Sequence, residues 1–155
     1  ILDHTLQRPR DFILFFKPLP ELKFRIPLSF ADVNILLGKF AILFTGEIKN
    51  ELAAHYSSKE IIIIFKSLKN LISNTNEQSY RLNDIKDQLN KNGFNSDVST
   101  LMELLFDLSL IGNKIEGKVI FKHWEKDDEF FLFNPKRKIV PHFTFRNYFK
   151  IRHNK

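Results

Sequence analysis

A chain of 155 residues suits one domain or two small domains, and it is long enough to bury an ordinary hydrophobic core. Its composition, 43% hydrophobic and 27% charged, is typical of a folded domain rather than a disordered segment. The absence of cysteine excludes disulfides, thiolate metal sites and cysteine catalysis, and it fits the reducing cytoplasm, where we expect this protein. No apolar run approaches the roughly 18–20 residues that a membrane helix needs, so we expect no membrane partner.

The first part of the chain has mainly helical periodicity. Thr5–Lys17 carries apolar side chains at helical spacing, and the prolines that follow predict an extended connector over Pro18–Leu28. Ser29 and Asp32 have the spacing of a capping box, with Asp in place of Glu or Gln. They precede a long helical stretch that we predict over Phe30–Tyr56.

The second part predicts three shorter helices and then a hairpin. Its one ambiguous segment is the β-branched run Ile61–Ile64, which we assign to a helix because later apolar residues restore a helical period. The predicted elements are the helices Lys59–Ile72, Tyr80–Asn90 and Ser96–Leu110, the strands Lys118–Trp124 and Glu129–Phe133, and a final short helix or turn over Pro141–Phe149.

Three helices followed by a two-stranded hairpin are the layout of a winged helix-turn-helix. We therefore expect a mainly α fold with a small β-hairpin, in three segments. Residues 1–28 form a helix and a proline-rich connector, residues 29–58 a long linking helix or helix pair, and residues 59–155 the winged-helix domain with a basic C-terminal segment. The hairpin should pack on the helices through four aromatic side chains, Phe121, Trp124, Phe131 and Phe133.

Charge is unevenly distributed along the sequence. The net charge is +6, but residues 130–155 hold seven basic residues and no acid, so the remaining 129 residues sum to −1. The segment Ser96–Leu110, which would read the major groove in a DNA-binding protein, holds three acids and no base. This pattern argues against the usual docking on DNA. Any nucleic-acid contact should instead use the basic residues Lys136, Arg137, Lys138, Arg146, Lys150 and Arg152.

Motifs for chemistry are missing from the sequence. None of the five glycines opens a phosphate-binding loop or a dinucleotide fingerprint, and no nucleophile elbow or zinc-protease motif occurs. A metal site made of His123 and His142 is geometrically possible, but ordinary hydrogen-bonded or surface histidines explain the two residues better. We therefore expect no catalytic residue, no metal and no cofactor.

Two regions carry a family resemblance. The segment Thr5–Ile13, with its Arg-Pro-Arg-Asp core, resembles the lid helix that follows the nucleotide-binding core in bacterial P-loop ATPases of the AAA+ and STAND-like group. Leu104–Asn113, together with Phe121–Trp124 and Phe133–Pro135, is similar to the winged-helix segment of the same proteins. The resemblance runs over nearly the whole chain and covers only the C-terminal part of that family.

The resemblance implies a function and two site residues. Arg8 and Arg10 match the positions from which an arginine of the lid helix reaches the nucleotide phosphates, so they would sense nucleotide in a full-length parent. The chain would then be a non-catalytic C-terminal module that makes protein–protein or intramolecular regulatory contacts, with the ATPase core or another protein as partner. The alternative is a DNA-binding module that uses the basic C-terminal segment. Because the chain begins with Ile1 rather than methionine, we expect a piece of a longer chain or a processed one.

Overall fold

The computed structural model describes residues 9–22, 27–74, 78–122 and 131–151. Within these ranges the chain is mainly helical with a small three-stranded antiparallel sheet, which confirms the expected class. In chain order the elements are α1 (Pro9–Phe16), α2 (Leu19–Leu22), α3 (Phe30–Leu52), α4 (Ser58–Asn74), α5 (Leu82–Lys91), α6 (Val98–Asp107), β1 (Ile111–Ile115), β2 (Lys118–Ile120), β3 (Ile139–Pro141) and α7 (Phe143–Ile151).

The chain separates into two compact units. The first unit comprises the chain up to Ala54 together with the segment from Phe143 onward, and the second unit is His55–His142. The last helix therefore belongs to the same unit as the first three. The division into residues 1–28, 29–58 and 59–155 stays a prediction about domains.

The first unit is built around α3, on which α1 and α7 pack. Its core is aromatic: the ring of Phe40 lies 5.7 Å from that of Phe15 and 5.6 Å from that of Phe44. On α7, the rings of Phe145 and Phe149 meet edge to face at 4.9 Å, and both side chains are buried. Burial of such rings is the main favourable term available to a unit of this size.

The start of α3 has the predicted capping box. The hydroxyl of Ser29 accepts a hydrogen bond from the Asp32 amide at 3.2 Å, and the Asp32 carboxylate accepts from the Ser29 amide at 2.9 Å. The predicted end at Tyr56 is wrong, because α3 ends at Leu52 and a turn follows. The connector was also predicted as extended throughout, whereas its described part contains the one-turn helix α2.

In the second unit, α4 packs against α5, and α6 contacts β1. The run Ile61–Ile64 is helical, as predicted, because Ile61, Ile64 and Leu68 fall on one buried face at three- and four-residue spacing. The helix is capped by Ser57, whose amide and hydroxyl both donate to the Glu60 carboxylate. Strand propensity is therefore overridden by the packing of a single apolar face.

The sheet differs from the predicted hairpin. Its order is β2-β1-β3, all antiparallel, and Tyr80 adds an isolated bridge to Ile139 at the β3 edge. The hairpin turn is Glu116–Gly117, with φ of 47° and 83°, as a two-residue type I′ turn requires. The first strand, β1, precedes this turn and covers Ile111–Ile115, a stretch for which no element was predicted.

The predicted strand bounds are therefore wrong. Within residues 118–122, the described part of Lys118–Trp124, the strand covers only Lys118–Ile120, and the described residues 131–133 of Glu129–Phe133 are not in a strand. The predicted hairpin loop, Glu125–Asp128, and Trp124 lie outside the described residues. Phe121 is buried as predicted, whereas Phe131 and Phe133 are half-buried. The ring of Phe106 on α6 lies 5.5 Å from the ring of Phe131 and 5.8 Å from that of Phe133, so these two side chains contact a helix although they do not belong to a strand.

Candidate interaction surfaces

Helix α6 has one buried and one exposed side. Val98, Leu101, Met102, Leu105 and Phe106 are all buried in the core of the second unit. Ser99, Thr100, Glu103 and Asp107 are exposed on the other side. The helix thus presents a polar face in which both charged residues are acids.

This face borders a groove of about 460 Å³, which we call the acidic groove. Three carboxylates, those of Asp97, Glu103 and Asp107, lie along it, and Leu104 supplies an apolar wall. The complete lining is His55, Tyr56, Ser96, Asp97, Thr100, Glu103, Leu104 and Asp107. Sequence analysis found the three acids but not the turn before α4, which supplies His55 and Tyr56.

Hydrogen bonds fix the N-terminal end of the acidic groove. The Asp97 carboxylate caps α6 by accepting from the amide of Thr100 at 2.8 Å and from its hydroxyl at 2.7 Å. These bonds lower the pKa of Asp97, since each is made to the ionised form, and the charge of Lys86 lowers it further by a smaller amount. Asp97 is therefore a fixed negative charge at neutral pH.

Glu60 of α4 ties this end of the groove to the preceding helix. Its carboxylate accepts hydrogen bonds from the hydroxyls of Ser96 and Ser57, and these bonds lower its pKa. Tyr56 beside it has a raised pKa, first because partial burial disfavours the phenolate and second because Glu60 and Asp97 are negative. The phenol therefore stays protonated and can donate a hydrogen bond at physiological pH.

A second groove, of about 270 Å³, is positively charged, and we call it the basic groove. Its lining comes from two segments that are distant in sequence: Arg81, Leu82 and Asn83 at the start of α5, and Pro135, Lys136, Arg137 and Lys138 before β3. All four cationic residues are exposed, and no acid is among the lining residues. The sequence predicted three of these cations as a binding surface but did not reveal Arg81.

Backbone pairing holds the two sides of the basic groove together. The amide of Tyr80 donates to the carbonyl of Ile139 and the amide of Ile139 donates to the carbonyl of Tyr80, both at 2.8 Å. This pairing places Arg81 beside Lys138, because each is the neighbour of a paired residue. The carbonyl of Lys138 also accepts from the amide of Lys114 on β1 at 2.9 Å.

The other predicted site residues lie in the first unit or outside the described residues. Arg8 and Arg152 lie outside the described residues. Arg10 belongs to α1 and Lys150 to α7, but the structure describes only the backbone of these two residues. Arg146 is half-buried on α7, with its guanidinium carbon 5.9 Å from the centre of the Phe143 ring. The six predicted nucleic-acid contacts are thus divided between the two units.

In the described residues, no group of three or more His, Asp or Glu side chains could hold a metal ion. His142 is buried against the ring of Phe121 at 5.1 Å, whereas His123 lies outside the described residues. None of the described helices is both long enough and apolar enough to cross a bilayer.

Several large apolar side chains are exposed on the first unit. Ile13 is 70% exposed and Phe30 83% exposed, and Ile35 and Ile42 of α3 are also in contact with solvent. Scattered exposed residues of this type are normal for a soluble surface, but they also supply apolar area to protein contacts. They add no charge that would attract a nucleic acid.

No family model matches this chain, and no curated protein or solved structure is found to be similar to it. Its function therefore has to be argued from the two grooves. The resemblance to bacterial P-loop ATPases remains a prediction from the sequence.

Proposed function

We propose that this chain is a non-catalytic interaction module, that its second unit is a winged helix, and that the acidic groove docks a positively charged protein surface. The observation that carries the proposal is the exposed face of α6, on which Glu103 and Asp107 follow the fixed charge of Asp97 with no basic residue between them. If the resemblance to P-loop ATPases holds, the partner is the core of a parent ATPase or another protein. The nucleotide-sensing role of Arg8 and Arg10 belongs to that parent and stays a prediction.

The order of elements supports the winged-helix assignment. Three helices, α4 to α6, precede the hairpin of β1 and β2, and Tyr80 joins the sheet from the segment between α4 and α5. The turn from α5 to α6 is short and contains Gly93, whose φ of 84° provides the left-handed end of α5. In a winged helix, α6 is then the helix that faces the ligand.

Electrostatics favours a protein partner over DNA at α6. Duplex DNA carries one negative charge per roughly 1.7 Å of its axis, and α6 would lie within that field. Side chains on a helix rise about 1.5 Å per residue, so Asp97 and Asp107 are about 15 Å apart along α6 and place charge over most of its length. Repulsion would act along the whole contact, whereas Lys or Arg of a partner would be attracted to the same positions.

A second candidate function is DNA binding through the basic groove. The observation in its favour is that Lys136, Arg137 and Lys138 are all exposed and lie together with Arg81. This surface could contact phosphates without α6 entering the major groove. It would provide affinity that depends strongly on salt and little sequence discrimination.

Fluorescence anisotropy with a labelled Arg-rich peptide, standing in for the partner surface, tests the proposal. The variant Glu103→Gln/Asp107→Asn should weaken peptide binding roughly three- to tenfold at low salt, the range expected for two exposed ion pairs. Asp97 is left unchanged because it caps α6. The matched control, Asp87→Asn/Glu116→Gln, makes the same charge change at exposed positions off the groove and should bind like wild type.

One outcome would contradict the proposal, and another would favour the second candidate function. Equal weakening in both double variants would show that the peptide responds to overall charge and not to the acidic groove. Tight, salt-sensitive binding of duplex DNA that is lost in Lys136→Ala/Arg137→Ala/Lys138→Ala would favour the second candidate.

A further inference from the structure

We propose that the basic groove binds a short polyphosphate, such as inorganic pyrophosphate or the phosphate chain of a nucleotide. The groove brings the four cations Arg81, Lys136, Arg137 and Lys138 together in one space of about 270 Å³. None of its residues lies on α6, so this site is independent of the docking surface proposed above.

Hydrogen bonds hold the turn that carries Lys136 and Arg137. Asn134 begins the turn: its amide donates to the side-chain oxygen of the buried Asn113 at 2.9 Å, and its carbonyl accepts from the side-chain nitrogen of Asn113 at 3.1 Å. The turn is closed by the Lys136 amide, which donates to the Asn134 side chain at 3.0 Å. A fixed turn reduces the conformational entropy that ligand binding would otherwise cost.

The positive charge of the groove is only slightly offset by its surroundings. Among the described residues, no carboxylate forms an ion pair with the side chain of any of the four cations. The nearest acid in sequence is Asp84, whose carboxylate already accepts a hydrogen bond from the Arg81 amide at 3.0 Å. The Asp84 carboxylate therefore places a negative charge at the start of α5, which disfavours an anion at that end of the helix. The anion would instead be bound by the four side chains, and the guanidinium of Arg81 can donate hydrogen bonds to two phosphate oxygens at once.

Size and neighbouring charges favour a short polyphosphate over a nucleic acid. The cations surround one groove rather than forming a long stripe, and a nucleic-acid backbone would need a track for several successive phosphates. A nucleic-acid backbone that continued along α5 would be repelled by the exposed carboxylates of Asp84 and Asp87. A ligand with only two or three phosphates is too short to reach along α5 and is not repelled in this way.

Isothermal titration calorimetry on the full chain, with pyrophosphate and with ATP as separate probes, tests this site. Arg81→Gln and Lys138→Gln should each weaken pyrophosphate binding at least about tenfold, as expected when a charged hydrogen-bond donor is lost. Lys91→Gln removes an exposed charge at the other end of α5 and should leave the affinity unchanged. Circular dichroism verifies that each variant is folded.

The two probes distinguish the sources of the phosphate. Equal affinity for pyrophosphate and ATP would support recognition of the phosphate chain alone, whereas tighter binding of ATP would support a nucleotide whose base or sugar adds contacts. The proposal is overturned if neither probe binds, if Lys91→Gln weakens binding as much as Arg81→Gln, or if duplex DNA binds while both probes do not. The peptide experiment on Glu103 and Asp107 is unaffected by any of these results.

Discussion

Asn113→Ala tests how the basic turn is held in the second unit. The Asn113 side chain is 1% exposed and makes two hydrogen bonds to the backbone of Asn134, at 2.9 and 3.1 Å. Each such bond contributes about 0.5–1.5 kcal/mol net, and leaving its backbone partners unsatisfied adds to the loss, so alanine should lower the free energy of unfolding by about 2–3 kcal/mol. Asn113→Asp keeps the acceptor but loses the donor and buries a charge, so at neutral pH it should destabilise at least as much.

Urea denaturation followed by far-ultraviolet circular dichroism measures this loss. Asn95→Ala is the matched control, because Asn95 is exposed in the same unit and should change the free energy of unfolding by no more than about 0.5 kcal/mol. A loss in Asn113→Ala no larger than that of the control would refute the reasoning. It would mean that Asn134 exchanges its protein partner for water without cost.

Further predictions concern two glycines and two carboxylates. Gly112→Ala should lower stability by about 1–3 kcal/mol in the same assay, because the new Cβ would lie 2.6 Å from the carbonyl oxygen of Ile120. Gly46→Ala on α3 meets nothing within 4 Å and should raise stability by about 0.5–1 kcal/mol; a loss there would mean that the helix is not regular at that point. The pKa values of Glu60 and Asp97 are lowered by hydrogen bonds, so their contribution is present at neutral pH and is lost as the pH falls below their ordinary values, 4.5 and 3.8. Melting temperatures measured between neutral pH and pH 3 should fall less steeply in Glu60→Gln, and an unchanged slope would contradict this.

Much of the helical structure could be predicted from the sequence. Helices are stabilised by contacts between residues three and four apart, so their periodicity is visible locally, and the capping pair of Ser29 and Asp32 is local as well. The exposed acids of α6 were also found this way. These predictions needed no knowledge of which elements pack together.

The sheet and the basic groove could not be predicted in the same way. Strands of three to five residues are too short to show clear alternation, and β1 contains Gly112 and Asn113, which usually indicate a turn. Asn113 occupies the strand because its buried amide is satisfied by a turn 21 residues later. Arg81 joins the basic groove only through the pairing of Tyr80 with Ile139, a contact between distant segments that no local pattern records.

The role of α6 can be tested most directly by nuclear magnetic resonance. The nitrogen-15-labelled chain would be titrated separately with an Arg-rich peptide and with a short duplex DNA, and the backbone amide shifts of Thr100, Glu103, Leu104 and Asp107 would be followed. We predict that the peptide moves these four amides and that the duplex leaves them in place. Shifts of the same amides by the duplex, with none caused by the peptide, would show that α6 reads DNA despite its acids and would contradict the account.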